Sequence, residues 1–239
     1  METLTRPTIR RAAERGHADF GWLDSRHTFS FGQYHDPRHV HFHALRVIND
    51  DRVAGGGGFP THPHQDAEIF SYVLDGALEH RDTMGNGSTV AGGGVQFMSA
   101  GSGVAHSEAN ASATEPVRFL QVWLIPDERG AEPRYATRDL SAAEKDGRLA
   151  LFLSPEGEGD AIPLRTDARV FAATLDGPQR IEHPLPEGRA AWVQVARGSL
   201  KVNGARLAEG DGAAIEEPGA VVLEQGEGAE LLLFDLAER

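Results

Sequence analysis

The sequence predicts an all-β protein whose two halves are related antiparallel barrels or sandwiches. Three observations carry this. Short apolar runs such as Ile69 to Leu74, Val95 to Met98 and Val117 to Ile125 are separated by turns rich in Gly, Asp and Asn. The long helical patterns of a βαβ protein are missing. The second half also repeats the grammar of the first, with Ala191 to Gly198 matching Phe70 to Gly76 and Leu207 to Ile215 matching Val90 to Phe97. Aligning Gly93 with Gly210 sets Leu223 opposite His106 and Gln225 opposite Glu108. The copy keeps the fold signals and loses the His and Glu that could act as ligands.

Composition narrows the function classes. A chain of 239 residues, 40% hydrophobic and 25% charged, can bury a proper core. No apolar run approaches the roughly 18–20 residues of a membrane span. The opening Met1-Glu2-Thr3-Leu4-Thr5-Arg6-Pro7 has no hydrophobic segment, so no signal peptide is read and the cytoplasm is the expected location. There is no cysteine, which leaves His and carboxylate as the only strong metal ligands. With 36 acidic against 23 basic residues, the formal charge of −13 repels phosphate backbones and anionic lipid. Neither direct nucleic-acid binding nor membrane binding is expected. Arg6, Arg10, Arg11 and Arg15 read as a solvated terminal segment.

Taken in order, residues 6–16 suit a strand or a frayed helix. Thr28 to Phe31 and Val40 to Ile48 read as strands around an Asp36-Pro37 turn. His35, His39, His41 and His43 crowd this stretch, and on a strand His41 and His43 would share a face. No Gly-rich approach or carboxylate accompanies them, so surface or supporting roles are expected. Gly55 to Gly58 gives the backbone the freedom needed at a barrel mouth. Pro126 to Arg138 is polar and Pro-bearing, as a domain connection is, and Leu140 to Lys145 has helical character. The division expected is 1–135 for the first barrel and 136–239 for the second.

The chemistry lies in two phrases. His62-Pro63-His64 and His106-Ser107-Glu108 each place two ligand types at i and i+2, which share one face of an extended strand. The strand–turn–strand stretch between them can fold the second phrase over the first. Three imidazoles and a carboxylate converging inside β-structure predict a transition-metal site. The ligands alone do not choose between iron, copper, nickel, manganese and zinc. Glu68 shares the parity of His62 and His64 and competes with Glu108 as the carboxylate. His80 reads as a surface histidine, or as a group near the site mouth.

The spacing Gly56-x5-His62-x-His64-x3-Glu68 is similar to the first cupin motif, and Gly103-x2-His106-x3-Asn110 to the core of the second. More narrowly, the ordered set His62-Pro63-His64, Tyr72 to Gly76, Glu79 to Asp82, Met84-Gly85-Asn86 and Met98 to Glu108 resembles the pirin family. Gly21 to Ser25, Phe29 to Phe31 and Ala44 to Asp51 resemble that family's N-terminal part. The second half looks like the shorter bacterial branch. This resemblance implies a bicupin: two antiparallel, jelly-roll-like β-barrels with a metal in the first only. It favours Glu108 over Glu68, giving His62, His64, His106 and Glu108 as ligands of one divalent metal, taken as iron(II). It also implies a quercetin 2,3-dioxygenase, which cleaves the heterocycle of a flavonol with O2 and releases carbon monoxide, with Glu108 taking the hydroxyl proton. Phe59, Phe70, Phe97 and Met98 could wall a flat ligand, although Phe70 and Phe97 read first as core. The alternative is a non-enzymatic, metal-dependent redox regulator acting through a protein partner. The chain is expected to be a monomer.

Overall fold

The computed structural model describes residues 5–239. It holds twenty strands, one short α-helix and one 3-10 turn. Residues 1–4 of the opening heptapeptide read for a signal lie outside the described residues. No helix among those described is long and apolar enough to cross a membrane.

Two barrels account for the strands. In the first, a seven-stranded sheet runs Arg134–Asp139, Gly94–Ser99, Glu68–Asp75, Val117–Leu124, Leu45–Val53, Leu23–His27, Gly16–Asp19. It faces a four-stranded sheet of Gly58–His64, Val104–Asn110, Ala77–Asp82 and Gly87–Ala91. The second barrel is one nine-stranded sheet built on the long strands Arg189–Val202 and Gly219–Ala237, which pair along their length through several register shifts. Such irregularities bend strands enough to curl a sheet on itself. Among the described residues the strand pairings are antiparallel except that of Ala150–Ser154 with Ile162–Pro163, and an isolated bridge between Asp146 and Thr174 is also parallel.

The Glu68–Asp75 strand shows why its sequence is apolar without a break. Alternation sends Ile69, Ser71 and Val73 into the first barrel, and Phe70, Tyr72 and Leu74 outward against the second. Phe70 meets Phe152 edge-on at 5.5 Å between ring centroids, and Phe234 at 6.3 Å. The largest apolar cluster therefore lies between the barrels, and Phe70 and Phe97 belong to it. The second barrel has its own apolar interior. Leu223, the counterpart of His106, is fully buried there.

Several local expectations are corrected. The strand begins at Leu45, because His43 adopts φ +48 and Phe42 and Leu45 close a tight turn around it. His41 and His43 thus share no strand face. Thr28 to Phe31 is not a strand either; the strand is Leu23–His27. Arg134–Asp139, read within a polar connection, pairs along its whole length with Gly94–Ser99, so a boundary at 135/136 falls inside a strand. The opening strand, Thr8–Arg10, pairs with Gly212–Ile215 of the other barrel. The arginines there are not a solvated patch. Arg10 is 3% exposed and bonds Tyr34 Oη at 2.8 Å, Arg11 reaches Asp211 at 2.7 Å, and Arg15 faces Asp50 at 3.6 Å. Arg6 and Arg11 are exposed, Arg11 while holding its ion pair with Asp211, and Arg15 is half-buried. The helix, Ala142–Lys145, forms where helical character was read, closed by a Ser141/Glu144 capping box.

Candidate metal centre

The four-stranded sheet assembles the site. His62 lies directly opposite His106 in the pairing of Gly58–His64 with Val104–Asn110, and His64 is opposite Val104. Parity sends all three imidazoles to the barrel interior. Their ring centroids are 4.7 Å (His62–His64), 4.6 Å (His62–His106) and 4.9 Å (His64–His106) apart. One nitrogen from each lies within 4.8 Å of the others, and no second group of this kind occurs among the described residues. The strands reach this register because Gly58 has no side chain. A Cβ there would sit 2.7 Å from the Glu108 carbonyl oxygen.

The tautomers suit metal binding. His62 Nδ1 lies 2.8 Å from the Pro60 carbonyl, which can only accept, so Nδ1 carries the proton and Nε2 is left as an acceptor. His106 Nε2 is buried without any partner. Its Nδ1 is 3.3 Å from Nδ1 of His80, whose Nε2 is 3.1 Å from Asp82 Oδ2. Asp82 accepts at both oxygens from Asn86 and from the Met84 N–H. The chain of acceptors fixes the protons. Asp82 takes the His80 Nε2–H, His80 Nδ1 takes the His106 Nδ1–H, and the His106 Nε2 lone pair is free. The donor set and this unpartnered nitrogen fit a transition metal.

Burial, with neighbouring imidazoles adding to it, holds His64 down at about 4 and His106 down at about 3. Both are neutral at physiological pH, as metal ligands must be.

His80 is therefore not a surface group. It is 1% exposed, stacked at 4.2 Å on Tyr135. Its signal was present in the sequence, since His80 and Asp82 repeat the i, i+2 pattern of the two recognised phrases. Asp82→Asn should keep the fold and weaken metal binding by roughly 10–100-fold, the usual effect of losing the group that orients a ligand. Competition titration against a chelating dye measures this.

Glu108, the carboxylate expected with the histidines, lies outside the group of three imidazole nitrogens within 4.8 Å of one another, and sits opposite His80 in the pairing with Ala77–Asp82. It is fully buried, and its carboxylate accepts from Ser71 Oγ at 3.0 Å, from Gln121 Nε2 at 2.8 Å and from Gln96 Nε2. These donors come from adjacent strands, Gln121 being opposite Ser71 and Ser71 opposite Gln96. Burial outweighs them and pushes the carboxyl up to about 7. Glu68 is elsewhere. It accepts from Ser99 Oγ and from the Arg165 N–H at 3.1 Å, tying the barrels together.

The Glu108 shift sets a pH dependence. Its folded pKa lies above the ordinary 4.5, so the folded chain holds a proton that the unfolded chain has lost between pH 4.5 and about 7. Stability falls as pH rises through that window. Glu108→Gln removes the effect, so with metal chelated the variant should gain on the parent by a few kcal/mol between pH 4 and pH 8. Melting at the two pH values measures the difference.

Beside the imidazoles opens a cavity of about 910 Å³ that His62 and His64 help to line. Trp22, Phe31, Phe59 and Trp123 form much of its wall, with Phe20 and Trp22 exposed at the surface. Phe59 is thus a wall residue; Met98 packs instead with Ile69, Ala100 and Val104.

Two barrels in one chain, one holding inward-facing histidines and the other an apolar core, define a bicupin with a metal site in its first barrel. The pirin family profile matches residues 8–124, and that of the quercetinase C-terminal cupin domain matches 151–236. A quercetin 2,3-dioxygenase of Escherichia coli K12 is 44% identical over 95% of this chain and 97% of its own. A pirin-like protein of Caulobacter vibrioides is 41% identical over 93% and 96%. The crystal structure of the E. coli bacterial pirin YhhW in complex with nickel(II) is 41% identical and superposes with a TM-score of 0.93, covering 98% of this chain and 100% of that one. The chain belongs to the pirin family.

Proposed function

We propose that this protein is a quercetin 2,3-dioxygenase, opening the heterocycle of a flavonol with O2 and releasing carbon monoxide. The observation that carries the reading is the triad of His62, His64 and His106 beside an aromatic-walled cavity. The relative named quercetin 2,3-dioxygenase, alike along nearly the whole chain, supports it. We assign His62, His64, His106 and Glu108 as the ligands and iron(II) as the native ion. Glu108 is supported by its place two residues from His106 on the same strand face, and by its burial. When bound, the metal supplies Lewis-acid polarisation of a substrate oxygen and an electron path between substrate and O2.

The chain's own groups do the rest. Trp22, Phe59 and Trp123 hold the flat ring system and exclude water. Glu108 takes the proton of the flavonol 3-hydroxyl. As a ligand it is held ionised by the bound cation and so can accept that proton. Loss of that proton raises electron density at C2, where O2 adds. Ser71, Gln96 and Gln121 hold the carboxylate and keep its orientation fixed as the proton arrives. The chain acts as a monomer on this reading, since its largest apolar surface is already covered by its own second barrel.

The test is anaerobic reconstitution with Fe(II), Mn(II), Ni(II), Cu(II) or Zn(II), followed by quercetin consumption in air. Turnover that needs one ion and disappears on chelation supports the reading. Stoichiometric metal with no turnover for any ion removes the flavonol assignment and leaves the regulatory one.

A further inference from the structure

Two buried polar atoms bordering the cavity have no partner. Asp51 is 2% exposed and its Oδ1 makes no hydrogen bond; Trp123 Nε1 is buried and donates to nothing. Both residues line the same cavity as His62 and His64. Strand register explains their placement. Asn49 and Asp51 alternate onto the inner face of Leu45–Val53, opposite His27 and Ser25 respectively. Asn49 is satisfied by His27 Nδ1 at 2.8 Å, which leaves Asp51 as the acceptor at this end. Trp123 stands at the metal end, its ring edge-on to His64 at 4.9 Å.

An unmade hydrogen bond at a buried group is costly, so two of them bordering one cavity are matched by a ligand with complementary groups. We propose that Asp51 and Trp123 form an oxygen-reading subsite selective for flavonols that carry a phenolic hydroxyl away from the metal. The inference rests on the flavonol reading and adds its specificity. Asp51 Oδ1 accepts from the remote phenolic O–H, and Trp123 Nε1–H donates to a substrate oxygen near the imidazoles. The aromatic walls supply affinity common to all flavonols; Asp51 supplies discrimination, because an analogue lacking the hydroxyl leaves its Oδ1 unpaired again. Burial holds this carboxyl up at about 7, with Ser25 opposing. A group so poised accepts a neutral hydroxyl without a fixed counter-charge.

The experiment compares quercetin with 3-hydroxyflavone, which lacks hydroxyls on its outer rings. Metal-loaded protein is titrated without O2, and quenching of tryptophan fluorescence gives each Kd. Wild type should favour quercetin by about tenfold or more. Asp51→Ala should collapse the preference with metal content unchanged, and Asp51→Asn, which keeps an acceptor oxygen, should restore part of it. Trp123→Phe should weaken both ligands alike. Equal binding of the two flavonols by wild type, a preference that survives in Asp51→Ala, or unchanged binding in Trp123→Phe overturns the subsite alone. Failure of wild type to bind either overturns the flavonol reading and the subsite with it.

Discussion

His106→Ala should abolish stoichiometric metal binding and, with it, flavonol turnover. Zinc sites of the structural kind bind with about 10–16 kcal/mol, so each of four ligands accounts for roughly 3 kcal/mol, or about a hundredfold in affinity. His106 is worth more than an average share. Its Nε2 is the buried, unpartnered nitrogen, and its Nδ1 is the one joined to the His80–Asp82 chain. Alanine removes the ligand and the purpose of that chain together. His43, whose Nδ1 accepts from the Arg239 N–H far from the triad in the fold, is the matched control, and His43→Ala should keep full metal content. The second barrel should stay folded, because its core shares no residue with the site. Metal analysis of both purified variants, with circular dichroism, separates the outcomes.

Asp50→Ala should give the largest loss of stability, about 3–5 kcal/mol. Asp50 is buried and holds Arg118 through paired bonds of 2.9 and 3.0 Å, with Arg15 at 3.6 Å. Arg118 in turn reaches the second barrel, at the Ala196 carbonyl (3.2 Å) and Glu209 (2.9 Å). Burial alone would raise the Asp50 carboxyl; the arginines more than reverse this and leave it below its ordinary value. Removing the carboxylate leaves Arg15 without its counter-charge and Arg118 with Glu209 alone, in a poorly solvated seam. Urea unfolding measures the loss, and the double variant Asp50→Ala with Arg118→Met should recover part of it, since one of the two charges is gone.

The triad was legible because strand alternation is local. His62 and His64 share a face whatever surrounds them, and a Gly-rich approach plus a second such phrase leaves few other uses. The alignment that sets Leu223 opposite His106 rests on the same local alternation, and Leu223 lies in the apolar interior of the second barrel. His80 was hidden by the habit of placing lone polar residues at the surface, although Asp82 two residues on marked it as part of a buried pair. The swap of Thr8–Arg10 into the other barrel left no local trace: a three-residue strand finds its partner some 200 residues away. Likewise His43 has a strand-like neighbourhood in sequence and a left-handed backbone in space. Asp51 reads as one more acidic residue until three strands wall it in.

The central claim is that the histidine triad supports ring cleavage. The most direct measurement is gas stoichiometry with the reconstituted protein: O2 consumed and carbon monoxide released per quercetin lost, beside His106→Ala. One of each per flavonol, both absent in the variant, is the predicted result. Oxygen uptake without carbon monoxide, or equal rates in the variant, would contradict it.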